Sequence, residues 1–599
     1  MKQGINDPMK IKLIALIPLF YLFSCAGTND SPNVTATDTL ELKTEINWRN
    51  FNAAAFEKAA ENEKLLLLEV GANWCHWCHV MDDSTYSDAT VQSYLDDNFI
   101  LCRADQDARP DLYAAYKPWG WPAIIVMNEN GDELLRLRGF QEKNEFLADL
   151  KNIRNDPIPL PDRNSGNSSN LELNETVLYN KFIANIDLKK GGYNWKTKSL
   201  ESQGILHGLH FYKSNDTLKG WTDLTVKNSY QLVDPVWGGV YQYSAKKSWN
   251  NGHFEKILRV QADYINAYCY YAAKTNTTEA IEQAKLILSY CDRFLGNETP
   301  LYWNSQNADL ISGVHSGEYY DLPEAERLAE GTPAVDKKIY LKENAAMCIA
   351  LSNLWAATGD HSYLSKGQNM LKFILSEYST PAGLYSREIG ETDIYSFEDN
   401  RKLLDALLRY YQITQDSTLL ENATTLAYQL IKRFDSPNGI QSAAGELAIV
   451  PTIVPRNNIR AVTTFNLLGH ITELDTFKNY ALTTYNRLNK EQLAKSQTTL
   501  PLSFKAGVEL KEAPFHAVFI TDGQQQLLKT EYLSALLLNP NSYFIFDVLT
   551  LGEMTTEDED FYGGFDAGTL FMCTASFCSS PIYTKADLVE FLATQEMNL

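Results

Sequence analysis

The sequence predicts a multidomain chain in which an N-terminal α/β domain precedes a long all-α part closed into an α/α toroid. Three observations predict it. The apolar run Leu65–Val70 ends at Trp74-Cys75-His76-Trp77-Cys78, the pattern of a buried strand handing over to a helix that begins on a cysteine. Asp156-Pro157-Ile158-Pro159-Leu160-Pro161 and the Ser/Asn/Gly-rich stretch after it break the chain. Beyond the break, apolar residues recur at three- and four-residue steps in paired helices, and the turns within pairs carry Asp360, Asp416 and Asp475, roughly sixty residues apart. Hairpins repeated in this way stack as a solenoid or close into a ring. Tyr/Trp/Gly-rich loops between the pairs favour the ring, whose loops gather at one mouth.

The elements follow in order. Met9-Lys10-Ile11-Lys12 is a short basic segment, and Leu13 to Phe23 is an apolar run too short to span a bilayer. It leads to Ser24-Cys25-Ala26-Gly27 and a polar stretch. This resembles a bacterial lipoprotein signal in which Cys25 becomes the lipidated first residue. The expected parts are a signal over 1–25, an α/β domain over 45–155, a linker over 156–176 and a toroid over 177–599. An exported chain anchored by lipid to a bacterial membrane, and facing the oxidising periplasm, is the expected location.

Cys75 at a helix N-terminus meets orphan N–H groups and the positive end of the helix dipole, which lower a thiol pKa and make the sulfur nucleophilic. Cys78, one turn on, is placed to close a disulfide or resolve a mixed one. Zinc or copper is the minority reading, because His76 and His79 lie beside the pair but no second ligand cluster follows; no metal and no cofactor are expected. The segment from about Leu65 to Leu150 resembles a thioredoxin fold. Phe99–Asp105 stands as its second strand, Gly120-Trp121-Pro122-Ala123 as the loop that carries a cis-proline facing the dithiol, and Asn128–Glu133 as a hairpin turn. That resemblance implies Pro122 as a site residue and Glu69, where the family keeps a buried acid, as a base for Cys78. A solvated or paired strand-end Glu is the equal alternative. Trp74, His76 and Trp77 are the expected tuners of the potential, a histidine cation making the disulfide more oxidising. Reductase, oxidase and isomerase all stay open.

Composition narrows the partners. The 599 residues carry 53 basic and 75 acidic side chains, a net charge of −22, which repels phosphate backbones and excludes nucleic acid. Aromatic residues make up 12% of the chain, and rings of this kind stack on sugars as well as filling cores.

Asp234–Ser244, Trp249–Leu258, Asn304–Asp309, Gly317-Glu318-Tyr319-Tyr320 and Cys573–Pro581, taken with Cys75–Met81 and Asp105–Asp111, resemble the spermatogenesis-associated thioredoxin-like family. The resemblance implies a thioredoxin-like domain joined to a toroid of the six-hairpin glycosidase type. This chain departs from it at Gly191–Lys196 and at Arg259-Val260. His253, Glu255, Asp309 and Glu318, with Asp234, are the candidate toroid site, as a carboxylate pair for glycoside hydrolysis or as an acid and base for sugar epimerisation. Helix capping by His253–Glu255 is the plainer alternative. Cys573 and Cys578 are expected to pair locally, exchange with the dithiol being the alternative. Cys102, Cys269, Cys291 and Cys348 read as buried thiols.

Two function classes follow. One is a thiol–disulfide oxidoreductase working on protein disulfides with an unknown thiol electron donor or acceptor, with the toroid binding a ligand or partner. The other is a carbohydrate-active or carbohydrate-binding toroid with an accessory thioredoxin-like domain.

Overall fold

The computed structural model describes residues 46–161, 174–390 and 392–596. The signal segment, Cys25 and most of the linker lie outside these residues. No described helix is long and apolar enough to cross a membrane.

The first domain is a four-stranded sheet in the order β2-β1-β3-β4, made of β1 (Leu65–Gly71), β2 (Phe99–Asp105), β3 (Ala123–Met127) and β4 (Glu133–Arg138). β1 and β2 run parallel, and β3 is antiparallel to both β1 and β4. Side chains alternate across a strand, so Leu66 and Leu68 enter one core with Phe51, Leu112 and Tyr116, and Leu65 and Leu67 enter the other with Met81, Leu95 and Phe146. Both faces are covered, which is why β1 reads as an unbroken apolar run. The helices are α1 (Ala53–Glu61), α2 (His76–Ser84), α3 (Ala89–Asn98), α4 (Pro110–Tyr116) and α5 (Lys143–Asn155).

The helical part is a closed ring of six hairpins. Its inner helices are Ser202–His210, Leu258–Thr275, Leu341–Thr358, Phe397–Thr414, Pro455–Ile471 and Leu500–Lys511, each packed on the next and the last on the first. Five of them pair with the helix that follows in sequence; Leu500–Lys511 pairs instead with Glu175–Asn185, from the start of the toroid. The repeated turns share a mechanism: Asn276, Gly359 and Gln415 end the inner helices with φ of 58°, 73° and 61°, a left-handed residue that satisfies the last carbonyls. Asp360 and Asp416 then cap the next helices, accepting from Ser362 N at 2.9 Å and Thr418 N at 3.0 Å. Asp475 does not; it lies inside its helix, behind Leu474.

Within Leu258–Ala272 the residues that keep accessible surface are Arg259, Asp263, Asn266 and Tyr270, every third or fourth position, while all between are buried. The same stripe recurs in the three inner helices that follow. One helical stripe of accessible side chains per inner helix is the signature of a bore.

The helical ring is complete at Lys511, short of the boundary expected at residue 599. The remainder folds as a separate three-stranded sheet, Phe515–Thr521 parallel to Phe544–Thr550 and antiparallel to Leu570–Cys573, with helix Gln526–Leu537 as the crossover. None of these strands strictly alternates apolar and polar residues, so their sequence carries no period-two signal. This unit sits at the C-terminal ends of the inner helices, where Ser534 Oγ donates to Ala356 O, Gln415 Nε2 to Phe546 O at 2.8 Å and Asn541 Nδ2 to His210 O at 3.2 Å.

The thioredoxin-like domain lies at the other mouth. Asn304, whose carbonyl accepts from Leu258 N, donates to Asp107 at 3.0 Å; Arg387, whose carbonyl accepts from Leu341 N, donates to the Asp107 carbonyl; Ala448 and Ile449 pack against the sheet. Both contacts fall at inner-helix N-termini.

Candidate functional site

Cys75 caps α2, with its Sγ accepting from Cys78 N at 3.2 Å, and the two cysteines are joined as a disulfide with Cα atoms 5.3 Å apart. Trp121-Pro122 is cis. The pairing of Val70 with Ala123 sets Pro122 opposite Gly71, whose Cβ position would stand 3.3 Å from Cys78 Sγ and 3.6 Å from Glu69 Oε1. The loop, the sulfur and the acid therefore share one spot. Glu69 is buried and its Oε1 lies 3.2 Å from Arg103 Nε. Burial pushes its pKa up, against the pull of the Arg103 cation, and this carboxyl stands beside Cys78.

The toroid covers this centre. Cys75 and Cys78 keep only 4% and 6% of their surface and belong to the same apolar cluster as the inner helices. Trp77 alone turns outward, 43% exposed. His76 does not face open solvent: its Nδ1 lies 2.9 and 2.8 Å from the two oxygens of Asp309, and His79 Nδ1 reaches the same carboxylate at 3.5 Å. Burial would raise the Asp309 pKa, but the hydrogen bonds from His76 and His79 outweigh it and hold the carboxyl below its usual range. The bond to Asp309 raises His79 in return.

Three of the toroid candidates converge here. Glu255 is 3% exposed, and burial, reinforced by the Asp309 charge, pushes its pKa up to about 7. His253 stacks on Tyr243 with centroids 4.3 Å apart, and burial followed by repulsion from His76 and His315 brings it down to about 4. Glu318 stands apart and exposed. Asp234 is fully buried at another station, where Lys256 Nζ and Arg327 Nη1 each donate to Oδ2 at 2.7 Å. Asp309 and Asp234 are thus committed to ion pairs and do not form the free carboxylate pair that glycoside hydrolysis needs.

Cys573 and Cys578 are joined as a disulfide in the C-terminal sheet unit, packed with Val518, Ile520 and Phe571. The dithiol and this disulfide lie at opposite ends of 18-residue inner helices, about 27 Å of axis. Direct exchange between them has no path. Cys102, Cys269, Cys291 and Cys348 are buried free thiols; burial pushes Cys102 up to about 11.

Sequence reasoning missed the residues that join the halves. Asp107 is buried and accepts from Trp74 Nε1 at 2.6 Å and from Asn304 Nδ2 at 3.0 Å, tying the residue before the dithiol to the toroid. It lies in the segment Asp105–Asp111 that carries the family resemblance, but nothing in that segment marks it as the contact to the toroid. Tyr113, Lys117, Lys342 and Arg456 carried no sequence signal.

Residues 35–145 match the family model described as "Protein of unknown function, DUF255", a thioredoxin-like group, and residues 385–516 match that of glycosyl hydrolase family 47. Spermatogenesis-associated protein 20 of Homo sapiens is 24% identical over 306 residues, 44% of this chain and 39% of the human protein. The chain thus spans about two-fifths of the length of that relative. The thiol:disulfide interchange protein DsbD of Colwellia psychrerythraea is 30% identical over 103 residues, 16% of this chain and 17% of that protein. Among solved structures, D-mannose isomerase aligns at TM-score 0.45 and 16% identity over 56% of this chain and 98% of its own. A sugar epimerase from a ruminal bacterium aligns at TM-score 0.44 and 14% identity over 52% and 84%. The chain is thus similar to spermatogenesis-associated protein 20 over 44% of its length, and joins a thioredoxin-like domain that matches the DUF255 model to a helical toroid of six hairpins.

Proposed function

We propose that the protein is a thiol–disulfide oxidoreductase in which Cys75 exchanges with a thiol-based partner and Cys78 resolves the mixed disulfide. The observation that carries this reading is the helix-capping Cys75 with Cys78, the cis-Pro122 loop and the buried Glu69 gathered at one spot. Cys75 attacks as thiolate and forms a mixed disulfide, releasing one partner thiol. The Cys78 thiol then gives its proton to Glu69, attacks Cys75 Sγ and releases the second thiol. A folded protein disulfide, the partner expected from sequence, does not reach a sulfur 4% exposed unless the toroid contact opens. The resemblance of residues 13–25 to a lipoprotein signal supports a location outside the cytoplasm, anchored at Cys25.

The test is a redox titration of Cys75/Cys78 in glutathione buffers alongside mixed-disulfide trapping with Cys78→Ser. A two-electron titration and adducts on Cys75 support the reading. A pair that stays oxidised across the whole glutathione range and traps nothing refutes it, and would favour a sugar role for the His253/Glu255 mouth.

A further inference from the structure

The mouth of the bore carries charge that the exchange reaction does not use. Lys117 and Tyr113, on and just after α4, point over the bore. The Nζ atoms of Lys117 and of Lys342, from the toroid, lie 5.1 and 5.3 Å from the Tyr113 ring centroid. Arg259 and Arg456 complete the group: both act on Tyr113 or Lys117 electrostatically, and both sit in the first turn of an inner helix with surface open to the bore. Lys342 is paired with Glu343 at 3.2 Å and Arg456 with Glu201 at 2.5 Å. Among the described residues no carboxylate stands within ion-pair distance of Lys117 or Arg259, and Asp107, Asp263 and Glu343 act on Arg259 from farther off. Burial would raise the Tyr113 phenol, yet Lys117, Arg259 and Lys342 bring it down to about 7, a measure of the positive potential at that point.

The cluster borders the dithiol. The Trp121 ring lies 6.2 Å from that of Tyr113, packs on the cluster that contains Cys75 and Cys78, and immediately precedes cis-Pro122. A molecule lying along Trp121 spans the cations at one end and the sulfurs at the other. Cations grouped at the mouth of a bore without a carboxylate in direct contact attract a small anion more strongly than the same charges in open water.

We propose that this chamber is a binding site for a small anionic disulfide or thiol, held by its carboxylate or phosphate groups at Lys117 and Arg259 and presenting its sulfur to Cys75. This names the substrate class of the exchange reading and rests on it. In the oxidising direction, the Cys75 thiolate attacks RS–SR, forming Cys75–S–S–R and releasing RS⁻. Cys78, deprotonated by Glu69, then attacks Cys75 Sγ, forming the Cys75–Cys78 disulfide and releasing the second RS⁻. The dithiol loses two electrons, the small disulfide gains them, and both dithiol protons end on the two small thiols at equilibrium.

The test is the rate at which the reduced full chain is oxidised by three small disulfides at one ionic strength: oxidised glutathione (anionic), cystamine (cationic) and hydroxyethyl disulfide (neutral). After correction for their intrinsic rates with a free thiol, oxidised glutathione is expected to be faster than cystamine by about tenfold or more, as attraction to two unpaired cations requires. The Lys117→Ala/Arg259→Gln double variant is expected to bring that ratio to about one. Equal corrected rates for all three disulfides in the unmodified protein overturn the anion site and leave the exchange reading standing. Failure of every disulfide to oxidise Cys75/Cys78 overturns the exchange reading itself. Because the three-way comparison uses the unmodified chain, an unfolded variant does not spoil it.

Discussion

Asp107→Ala tests whether the dithiol is physically tied to the toroid. The carboxylate accepts from Trp74 Nε1 at 2.6 Å and Asn304 Nδ2 at 3.0 Å, and Trp74 and Asn304 are 3% and 1% exposed. Alanine leaves the buried Trp74 N–H without a partner, at ~1–3 kcal/mol, and takes one hydrogen bond each, at ~0.5–1.5 kcal/mol, from Asn304 Nδ2, which keeps Asp336 Oδ2 at 3.0 Å, and from Gln106 Nε2. Part of this returns, because burial and then the Glu343 charge hold the Asp107 pKa up, a desolvation and repulsion cost that alanine removes. The net loss is therefore ~2–4 kcal/mol, concentrated at the contact between the two parts. Hydrogen exchange of the Trp74 indole N–H is the direct assay: it should accelerate roughly 30- to 1000-fold, the exponential of that loss. Alkylation of Cys75 in the reduced protein should accelerate with it, since the same contact covers the sulfur. Asp107→Asn keeps one acceptor oxygen and should recover about half the loss. An exchange rate within about threefold of the unmodified protein would refute the reasoning. It would mean that Asp107 does not hold Trp74 to the toroid.

Asp234→Ala should cost about 3–5 kcal/mol in urea unfolding, because it strands the buried cations Lys256 and Arg327. Its dithiol potential should stay unchanged; a shifted potential with unchanged stability would restore Asp234 as a site residue. The Asp309–His79 contact should make stability depend on pH from both sides. The His79 pKa is raised in the fold, so its contribution is full below the ordinary histidine range and is lost as pH rises through the raised value. The Asp309 pKa is lowered, so its contribution is present above the ordinary carboxylate range and is lost as pH falls through the lowered value. Asp309→Asn should flatten both limbs of the stability–pH curve, and a profile identical to that of the unmodified protein would sink the assignment.

Much of the fold was legible because its signals are local. Leu65–Val70, Cys75, Cys78 and the Trp121-Pro122 step are contiguous, and a strand covered on both faces must read as a run of apolar residues. The hairpins were legible because the period of apolar residues and the Asp-bearing turns repeat. The pair Ser202–His210 and Asp216–Ser229 was not singled out, and the sixth hairpin was hidden because its partners, Glu175–Asn185 and Leu500–Lys511, come from opposite ends of the toroid and meet only when the ring closes. The C-terminal sheet was missed for a different reason: its strands are apolar runs without alternation, and such a run is not told from a buried helix segment by periodicity.

The candidate site divides in the same way. The sequence alone determined where the proposed dithiol lies, since both cysteines and their helix N-terminus lie within four residues of one another. Only the tertiary structure decided their surroundings. It set Asp309 on His76, Glu255 beside them, Asp107 under Trp74 and two unpaired cations at the bore, residues separated by up to 233 positions in the His76–Asp309 bond. It also separated Asp234 from Asp309, which look alike in sequence: one is locked between Lys256 and Arg327, the other clasps the histidines of the dithiol helix. Residue type fixes what a carboxyl can do, but burial and the charges that close around it fix what it does, and neither exists until the ring closes against the sheet.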